Sequence, residues 1–469
     1  MRLCLCLRRM CLCLCWWRSV STSGDLMSLF ADIKSRILPP RVDFPAPGVY
    51  HYLRETPSER SRVHLRVDED GSGTLIVNAN RIFHFNPSAA ALAYFSLQQV
   101  QPSSVVTAMT RKYNLSRSHA AGDYLDFSNR LDQLITSEAC PICDLEVETT
   151  APFSARPSAP YRMDLAITYR CNNDCAHCYN ARPRNYPELS TEEWIRILDQ
   201  LWAIGIPHIV FTGGEPTLRN DLPELIRHAE QNGQITGLNT NGRRFRDAAY
   251  VQTLVDAGLD HVQITFESSD PMIHDQMVGK SGAWQQTLAG VQNAVSSSLY
   301  VMTNTTMLQT NVHTIPATLE YLGEMGLKTV GLNALIHSGR GRTVGTGLPE
   351  EDLPAILSQA QEITSRFDQR LIWYTPTQYC HFDPMKLSLG VKGCTAALYN
   401  MCIEPDGEVI PCQSYYRGLG NIITSDWQSI WEHDLAVSLR ERKLAPEKCG
   451  GCLLFGECGG GCPLLDADF

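Results

Sequence analysis

Cys171, Cys175 and Cys178 stand in the run Cys171-Asn-Asn-Asp-Cys175-Ala-His-Cys178, three thiols within eight residues and no fourth cysteine nearby. A structural zinc or a full ferredoxin-type cluster closes with four protein ligands, so three thiolates leave one metal position open for a substrate or cofactor. His177, inside the run, could itself close a zinc site, and the spacing alone admits that use. Downstream, the segment HIVFTGGEPTLR carries Gly213-Gly214-Glu215-Pro216. Two glycines let a ligand approach the backbone closely, and Glu215 offers an acceptor to an ammonium group. A third concentration of chemistry lies near the carboxyl terminus, where eight of the 18 cysteines fall between Cys380 and Cys462. Cys394, Gly407 and Cys412 form C-x12-G-x4-C, and Cys449, Cys452, Cys458 and Cys462 form C-x2-C-x5-C-x3-C. Such close spacings suit metal ligands better than scattered cross-links, and a zinc ribbon on the last four is one way to use them.

These groups need a frame. From Tyr161 to about Gly341 the chain repeats an apolar strand, a polar loop and an amphipathic helix ended by glycine, with strands beginning near Met163, Pro207, Gln234, Asp260, Leu299 and Leu327. Ser190 with Glu193 spells a capping box, and Gly205, Gly233, Gly258 and Gly326 stand where a left-handed helix stop is wanted. Six such units predict parallel strands with right-handed crossovers, hence an α/β barrel or open sheet whose site lies at the carboxyl ends of the strands. The three-cysteine run ends the first strand, and Gly213 to Pro216 end the second. Later strand ends add Thr240-Asn241-Gly242, Glu267-Ser268, Asn304 and Asn333, with Lys280 and Arg340 just beyond.

Ahead of this repeat, the stretches around HLRVDED and GTLIVNANRIFHF read as two or three short strands about the turn Asp70-Gly71-Ser72-Gly73. Asn86-Pro87-Ser88 starts an Ala-rich helix, and two helical stretches follow over residues 103–113 and 117–136. This unit has no clustered Cys, His or carboxylates, which fits binding better than catalysis. Pro141, Pro152, Pro157 and Pro160 mark residues 139–160 as a linker, with Cys140 and Cys143 at its start, too few to close a four-ligand site. Residues 1–20 alternate Leu with Cys and match neither a signal peptide nor a ligand spacing; with Met27 as the expected true start, residues 1–59 are read as leader and linker. The full length of 469 residues suits about three domains. Forty Lys+Arg against 50 Asp+Glu give a net charge of -10 without blocks of one sign, which argues against a grip on nucleic acid or an anionic membrane. Arg8, Arg9 and Arg18 break the one apolar run that could approach a spanning helix, and the cysteine usage points to a reducing, cytoplasmic setting.

The three-cysteine run on the first strand, paired with Gly213-Gly214-Glu215-Pro216 on the second, resembles the motifs of the radical S-adenosylmethionine superfamily. The resemblance implies a partial (β/α)6 barrel over residues 161–345, in which Cys171, Cys175 and Cys178 hold a 4Fe-4S cluster whose fourth iron chelates the amino and carboxylate groups of the cofactor's methionine. It places His177, at the family's aromatic position, near the adenine, and Gly213, Gly214 and Glu215 at the amino group. Thr240, Asn241, Glu267, Asn304 and Asn333 would serve the ribose hydroxyls and the methionine carboxylate, with Lys280 and Arg340 as further carboxylate contacts. The carboxyl-terminal spacing is similar to the SPASM domain, assigned to residues 346–469, and implies one or two auxiliary 4Fe-4S clusters. The first would use Cys394, Cys402, Cys412 and Cys462; the second would use Cys449, Cys452 and Cys458. Its usual fourth ligand is a cysteine farther on, which this sequence lacks, leaving Asp466, Asp468, Cys380 or a truncated terminus as alternatives. Gln413 stands where the sulfatase-maturing branch has an aspartate base, and glutamine cannot take a proton in that way, which disfavours formylglycine formation.

Residues 60–138 are similar to a PqqD-like peptide-recognition domain, a winged-helix type that holds leader peptides by strand addition. Together the resemblances are those of a peptide maturase related to the PqqA peptide cyclases. They imply an enzyme in which an electron from a donor such as flavodoxin or ferredoxin cleaves S-adenosylmethionine to methionine and a 5′-deoxyadenosyl radical. That radical takes hydrogen from a precursor peptide, and the auxiliary clusters accept the electron released as the product bond forms. No catalytic side chain, and no particular bond, is named by the sequence. Two other classes stay open: a tetrapyrrole-modifying radical enzyme of haem biosynthesis, and a non-enzymatic iron-sulfur electron carrier, which leaves the three-ligand loop with its Gly-Gly-Glu-Pro partner unexplained.

Overall fold

The computed structural model describes residues 41–55, 60–78, 81–136 and 157–465; the readings of residues 1–20, Met27, Cys140, Cys143, Asp466 and Asp468 lie outside them. Among the described residues two compact units emerge, one made of Leu92–Leu131 with residues 41–44, the other of Pro45–Ala91 with the described residues from Asp132 onward.

An antiparallel sheet runs in sequential order through β1 (Gly48–Glu55), β2 (Arg60–Val67), β3 (Gly73–Val77) and β4 (Arg81–Phe85). β2 to β4 are the strands the alternation predicts, whereas β1 falls in the stretch read as leader and linker. It pairs with β2 from Gly48 opposite Val67 to Glu55 opposite Arg60, so the sheet starts before residue 60. Val63, Leu65 and Val67 bury one face of β2, as period two requires. The other face is buried too, and it is polar: Arg62, His64 and Arg66. Arg62 pairs with Asp260 at 2.8 Å and with Glu230, His64 Nε2 lies 2.7 Å from the Gly233 carbonyl oxygen, and Arg66 donates to the Ala159 carbonyl at 3.0 Å. All four partners stand at helix ends or strand starts of the α/β repeat, so this sheet docks at the end opposite the expected site. Asn86 caps the next helix through its side-chain oxygen, which accepts from the Ala89 N–H at 2.9 Å, and helices Pro87–Leu97, Pro102–Tyr113 and Arg117–Thr136 follow.

The second sheet has ten strands. β5 (Arg162–Thr168), β6 (His208–Gly213), β7 (Ile235–Thr240), β8 (His261–Thr265), β9 (Tyr300–Thr306) and β10 (Thr329–Asn333) are the six expected strands, parallel and each bonded to the next. Two further parallel strands widen the sheet at both edges: β11 (Arg370–Trp373) beside β10 and β12 (Asn400–Ile403) beside β5. β13 (Glu408–Ile410) and β14 (Gly420–Asn421) continue antiparallel from β12. The repeat therefore runs past residue 345; β11 has four residues, too few for an alternation to stand out. Met163, Leu165 and Ile167 point outward against Trp194, Ile197, Leu198 and Leu201 of helix Thr191–Ile204, all buried, and both halves of the Ser190 and Glu193 capping box form. The alternate residues Asp164, Ala166 and Thr168 line the inner face. No helix among the described residues is long and apolar enough to cross a membrane.

Two histidines give the fold an acid-sensitive element. Burial pushes His64 down to about 3 and His261, whose Nε2 lies 2.9 Å from that of His208, down to about 4. Between those values and the ordinary value near 6.5 the unfolded chain binds protons that the folded chain refuses. This contribution to stability is full above about pH 6.5 and is lost below it, at about 1.4 kcal/mol per pH unit for each histidine. Urea unfolding of the metal-free chain at about pH 7.5 and about pH 5.5, followed by tryptophan fluorescence, should show the loss, and His64→Gln should remove one histidine's share. An acid slope indifferent to that substitution would refute the assignment.

Candidate active site

Beyond Thr168 the chain turns through the three-cysteine loop, which the last turn of helix Pro271–Val278 supports. The Asp174 N–H donates to the Val278 carbonyl at 2.8 Å and the Ala176 N–H to that of Met277 at 3.2 Å. Three arginines grip the same loop. Arg184 donates to the Cys171 carbonyl at 2.7 Å and to Asp174 at 2.8 Å. Arg243 donates to the Asn172 carbonyl at 2.5 Å and to Asn173 Oδ1 at 2.9 Å. Arg340 pairs with Asp174 at 3.0 Å, and its backbone N–H donates to the Cys178 carbonyl at 2.9 Å. Arg340, expected at a ligand carboxylate, is thus occupied with the loop, and Lys280 is exposed. Arg184 and Arg243 were invisible in the sequence, because half of their partners are backbone carbonyls, which no residue type advertises.

The three thiols share one electrostatic neighbourhood. Burial first, then Glu215 and Cys178, push Cys171 up to about 11, and burial, then Cys178, Glu267 and Cys171, hold Cys175 well above its ordinary value. Bare, Cys171 and Cys175 stay protonated near neutral pH, so a metal centre must displace their protons to bind. Among the described residues no three His, Cys, Asp or Glu side chains converge on one ion position. A mononuclear zinc requires that convergence, whereas a 4Fe-4S cluster takes each thiolate at a separate corner; three thiols on one loop with no fourth cysteine nearby fit a cluster that keeps one iron open.

The strand-end residues divide into two groups. Gly213 and Gly214 are demanded first by the chain itself: a Cβ on Gly213 would come 2.0 Å from the Thr168 oxygen, and one on Gly214 2.4 Å from that of Arg170. Glu215 is fully buried; its Oε1 accepts from Thr217 N at 3.1 Å, Thr217 Oγ1 at 2.6 Å and Thr240 Oγ1 at 2.7 Å, and its Oε2 from Asn241 N at 2.8 Å. Asn241 Nδ2 in turn donates to Asn172 Oδ1 at 2.7 Å. Glu215, Thr240 and Asn241 therefore lock the ends of β6 and β7 to the cysteine loop, while Glu215 Oε2, which accepts a single bond, keeps acceptor capacity.

The second group keeps unspent polarity. His177 Nε2 lies 3.0 Å from Glu267 Oε1, and Glu267 Oε2 accepts from Thr306 N at 2.9 Å, so the ring is held, yet its Nδ1 is buried without a partner. Asn304 Oδ1 and Asn333 Oδ1, on the inner face of β9 and β10, are buried and unpartnered as well. Buried polar atoms are normally satisfied, so these three fit a polar ligand such as the hydroxyls and amide-like edges of a nucleoside.

The segment after Cys178 is stitched to the β12–β13 hairpin. Tyr179 donates its hydroxyl to Gln413 Oε1 at 3.2 Å, Arg182 meets the buried Glu404 at 2.7 and 2.6 Å, and Tyr186 donates to Asp406 at 3.0 Å. Gly407 makes the hairpin turn in the left-handed region at φ 90°, the physical reason for the glycine in C-x12-G-x4-C. Burial, then Cys394, pushes Cys412 up to about 12; Cys402 is held well above its ordinary value by burial, with Cys412 among its neighbours. Tyr415 senses Cys412, Cys394 and Cys462 together. Cys449 has Cys458, Cys380 and Cys452 as thiol neighbours.

Residues 165–334 match the family model described as the Radical SAM superfamily, and residues 394–453 match the SPASM model, described as an iron-sulfur cluster-binding domain. The chain is 33% identical over 265 residues to the PqqA peptide cyclase of Rhodopseudomonas palustris, an alignment covering 54% of this chain and 67% of that one. It is 27% identical over 323 residues to the AdoMet-dependent heme synthase of Methanosarcina barkeri, covering 65% of this chain and 92% of that one. In fold it is similar to SuiB of Streptococcus suis bound to the precursor peptide SuiA, at a TM-score of 0.63 and 15% identity over 89% of this chain and 96% of that one. With its three-thiol loop at the first strand end and its auxiliary cysteines on the hairpin beside it, the chain belongs to the radical S-adenosylmethionine superfamily, in the branch that carries a SPASM domain, as an enzyme whose cofactors are S-adenosylmethionine, the 4Fe-4S cluster that binds it and auxiliary iron-sulfur clusters.

Proposed function

We propose that this enzyme oxidatively modifies or cross-links a precursor peptide in natural-product maturation, with the leader of that peptide held by the amino-terminal β-sheet. The observation that carries the reading is the four-stranded sheet itself, whose edge strands β1 and β4 have no further strand partner among the described residues. An unpaired edge offers main-chain hydrogen bonds to an extended peptide and asks for no reactive side chain in that region. When bound, the cofactors supply an electron and a 5′-deoxyadenosyl radical that takes a hydrogen atom from a C–H bond. Cys171, Cys175 and Cys178 hold the cluster, and Arg184, Arg243 and Arg340 hold the loop that carries them. His177, Asn304 and Asn333 orient the nucleoside through their unspent atoms, and the sheet's inner face keeps water from the reacting centre. Gln413 accepts from Tyr179 and takes no proton, so the reaction is not formylglycine formation. A flavodoxin or ferredoxin in a reducing cytoplasm is the fitting electron source.

The test uses the anaerobically reconstituted enzyme, a reductant, S-adenosylmethionine and the peptide encoded by a short reading frame beside this gene. The expected product is a peptide lighter by two hydrogen atoms, formed in step with 5′-deoxyadenosine that carries deuterium from the labelled peptide. Turnover of a porphyrin carboxylate with no change in the peptide would replace this reading with tetrapyrrole chemistry, which the similarity to the heme synthase over 92% of that chain favours.

A further inference from the structure

We propose that Cys380, far upstream of the cysteine-rich tail, is the fourth thiolate of the second auxiliary cluster, together with Cys449, Cys452 and Cys458. The proposal rests on the SPASM clusters being present. C-x2-C-x5-C supplies three thiolates, one short of the four that close a 4Fe-4S cluster. Cys462, three residues past the third, is expected at the other auxiliary cluster with Cys394, Cys402 and Cys412. Cys380 is the one described cysteine that the three groups leave unused.

The loop that follows β11 carries Cys380 to the tail. The Tyr379 N–H donates to Cys458 Sγ at 3.4 Å, and Cys458 donates its thiol to the Thr377 carbonyl at 3.6 Å. Cys380 is therefore the next residue after the one that holds the Cys458 sulfur. Gly461 packs on the same loop, where a Cβ would come 3.3 Å from Gln378 N and 3.4 Å from Thr377 C. The loop is fixed from its other side as well: the Lys392 N–H donates to the Tyr379 hydroxyl at 2.9 Å, and Thr377 Oγ1 donates to the Phe382 carbonyl at 3.1 Å. Cys380 and Cys452 are both exposed, so this corner faces solvent and the ligand can be probed chemically. Ligation costs Cys380 its proton, which leaves to solvent.

The full chain, reconstituted without oxygen, is compared with Cys380→Ala by iron and sulfide analysis, Mössbauer and low-temperature EPR spectroscopy. The variant should lose the iron of one cluster, about four atoms per chain, or keep a three-iron remnant, as Cys452→Ala should, while the signal that responds to S-adenosylmethionine persists. Independently, Cys380 of the loaded wild-type protein should resist alkylation by iodoacetamide and become labelled once a chelator strips the iron, a readout that needs no variant to fold. Wild-type iron and spectra in Cys380→Ala, or labelling of Cys380 equally fast with and without iron, would overturn the proposal. A wild-type protein holding iron for the S-adenosylmethionine cluster alone would overturn it by a different route, since no second auxiliary cluster would then exist.

Discussion

Replacing Cys171, Cys175 and Cys178 together by alanine brings 5′-deoxyadenosine release down by more than about a thousandfold, equivalent to about 4 kcal/mol of lost transition-state stabilisation, while auxiliary iron stays bound. No nearby group can take over. Of the other ligand types in the loop, His177 has its Nε2 tied to Glu267 at 3.0 Å, and Asp174 is paired with Arg184 and Arg340. The loop itself should survive, because Arg184, Arg243 and Arg340 also bind its carbonyls and the side chains of Asn173 and Asp174, ties that the loss of sulfur leaves in place. The auxiliary cysteines lie on other segments, so their iron reports that the protein has folded. Product analysis by chromatography beside an iron assay checks both halves, and release undiminished in the triple variant would sink the assignment of the cluster to these cysteines.

Gly213→Ala is expected to destabilise the fold by about 3 kcal/mol or more and to abolish cleavage of S-adenosylmethionine with it. The new Cβ would sit 2.0 Å from the Thr168 oxygen, and φ at +135° is a conformation that side chains with a Cβ rarely adopt. Backbone is what it meets, so no rotamer change can relieve the overlap. The end of β6 would have to leave β5, breaking the bond from Gly214 N to the Thr168 oxygen at 2.7 Å and moving Glu215 away from Thr240 and Asn241. Gly122→Ala serves as the control. It lies in helix Arg117–Thr136 with nothing within 4 Å of an added Cβ, so it should stabilise by about 0.5–1 kcal/mol. Urea titrations of the two variants give the contrast, and a Gly213→Ala protein as stable and active as the parent would show that the strand end tolerates displacement.

Much of this protein is local chemistry and was therefore legible in one dimension. Six strands and the helices between them follow from the period of apolar residues and from glycine stops, which depend on neighbours within a few positions. The three-cysteine run and the C-x12-G-x4-C spacing were equally plain, because a hairpin turn at Gly407 or a loop of eight residues is encoded by contiguous sequence. Glu215 shows where that ends. Its type is plain in the sequence, but its partners Thr240 and Asn241 come from the end of the next strand, and only their approach makes this acceptor also a tie between strand ends.

Tertiary structure alone decided what depends on segments far apart in the chain meeting in space. β1 carries no signal distinguishing it from a linker until β2 pairs with it along its whole length. The polar face of β2 reads as solvent-facing until Asp260, Glu230 and Gly233 cover it. Arg184 and Arg243 find backbone carbonyls, which every residue possesses, so no residue type advertises the contact. Cys380 stands 78 positions from Cys458 and was one name among several candidates until the loop after β11 laid Tyr379 on that sulfur. Residue type and spacing state which chemistry a chain can perform; which of its groups are still free to perform it is settled by the hydrogen bonds and close contacts that folding uses up.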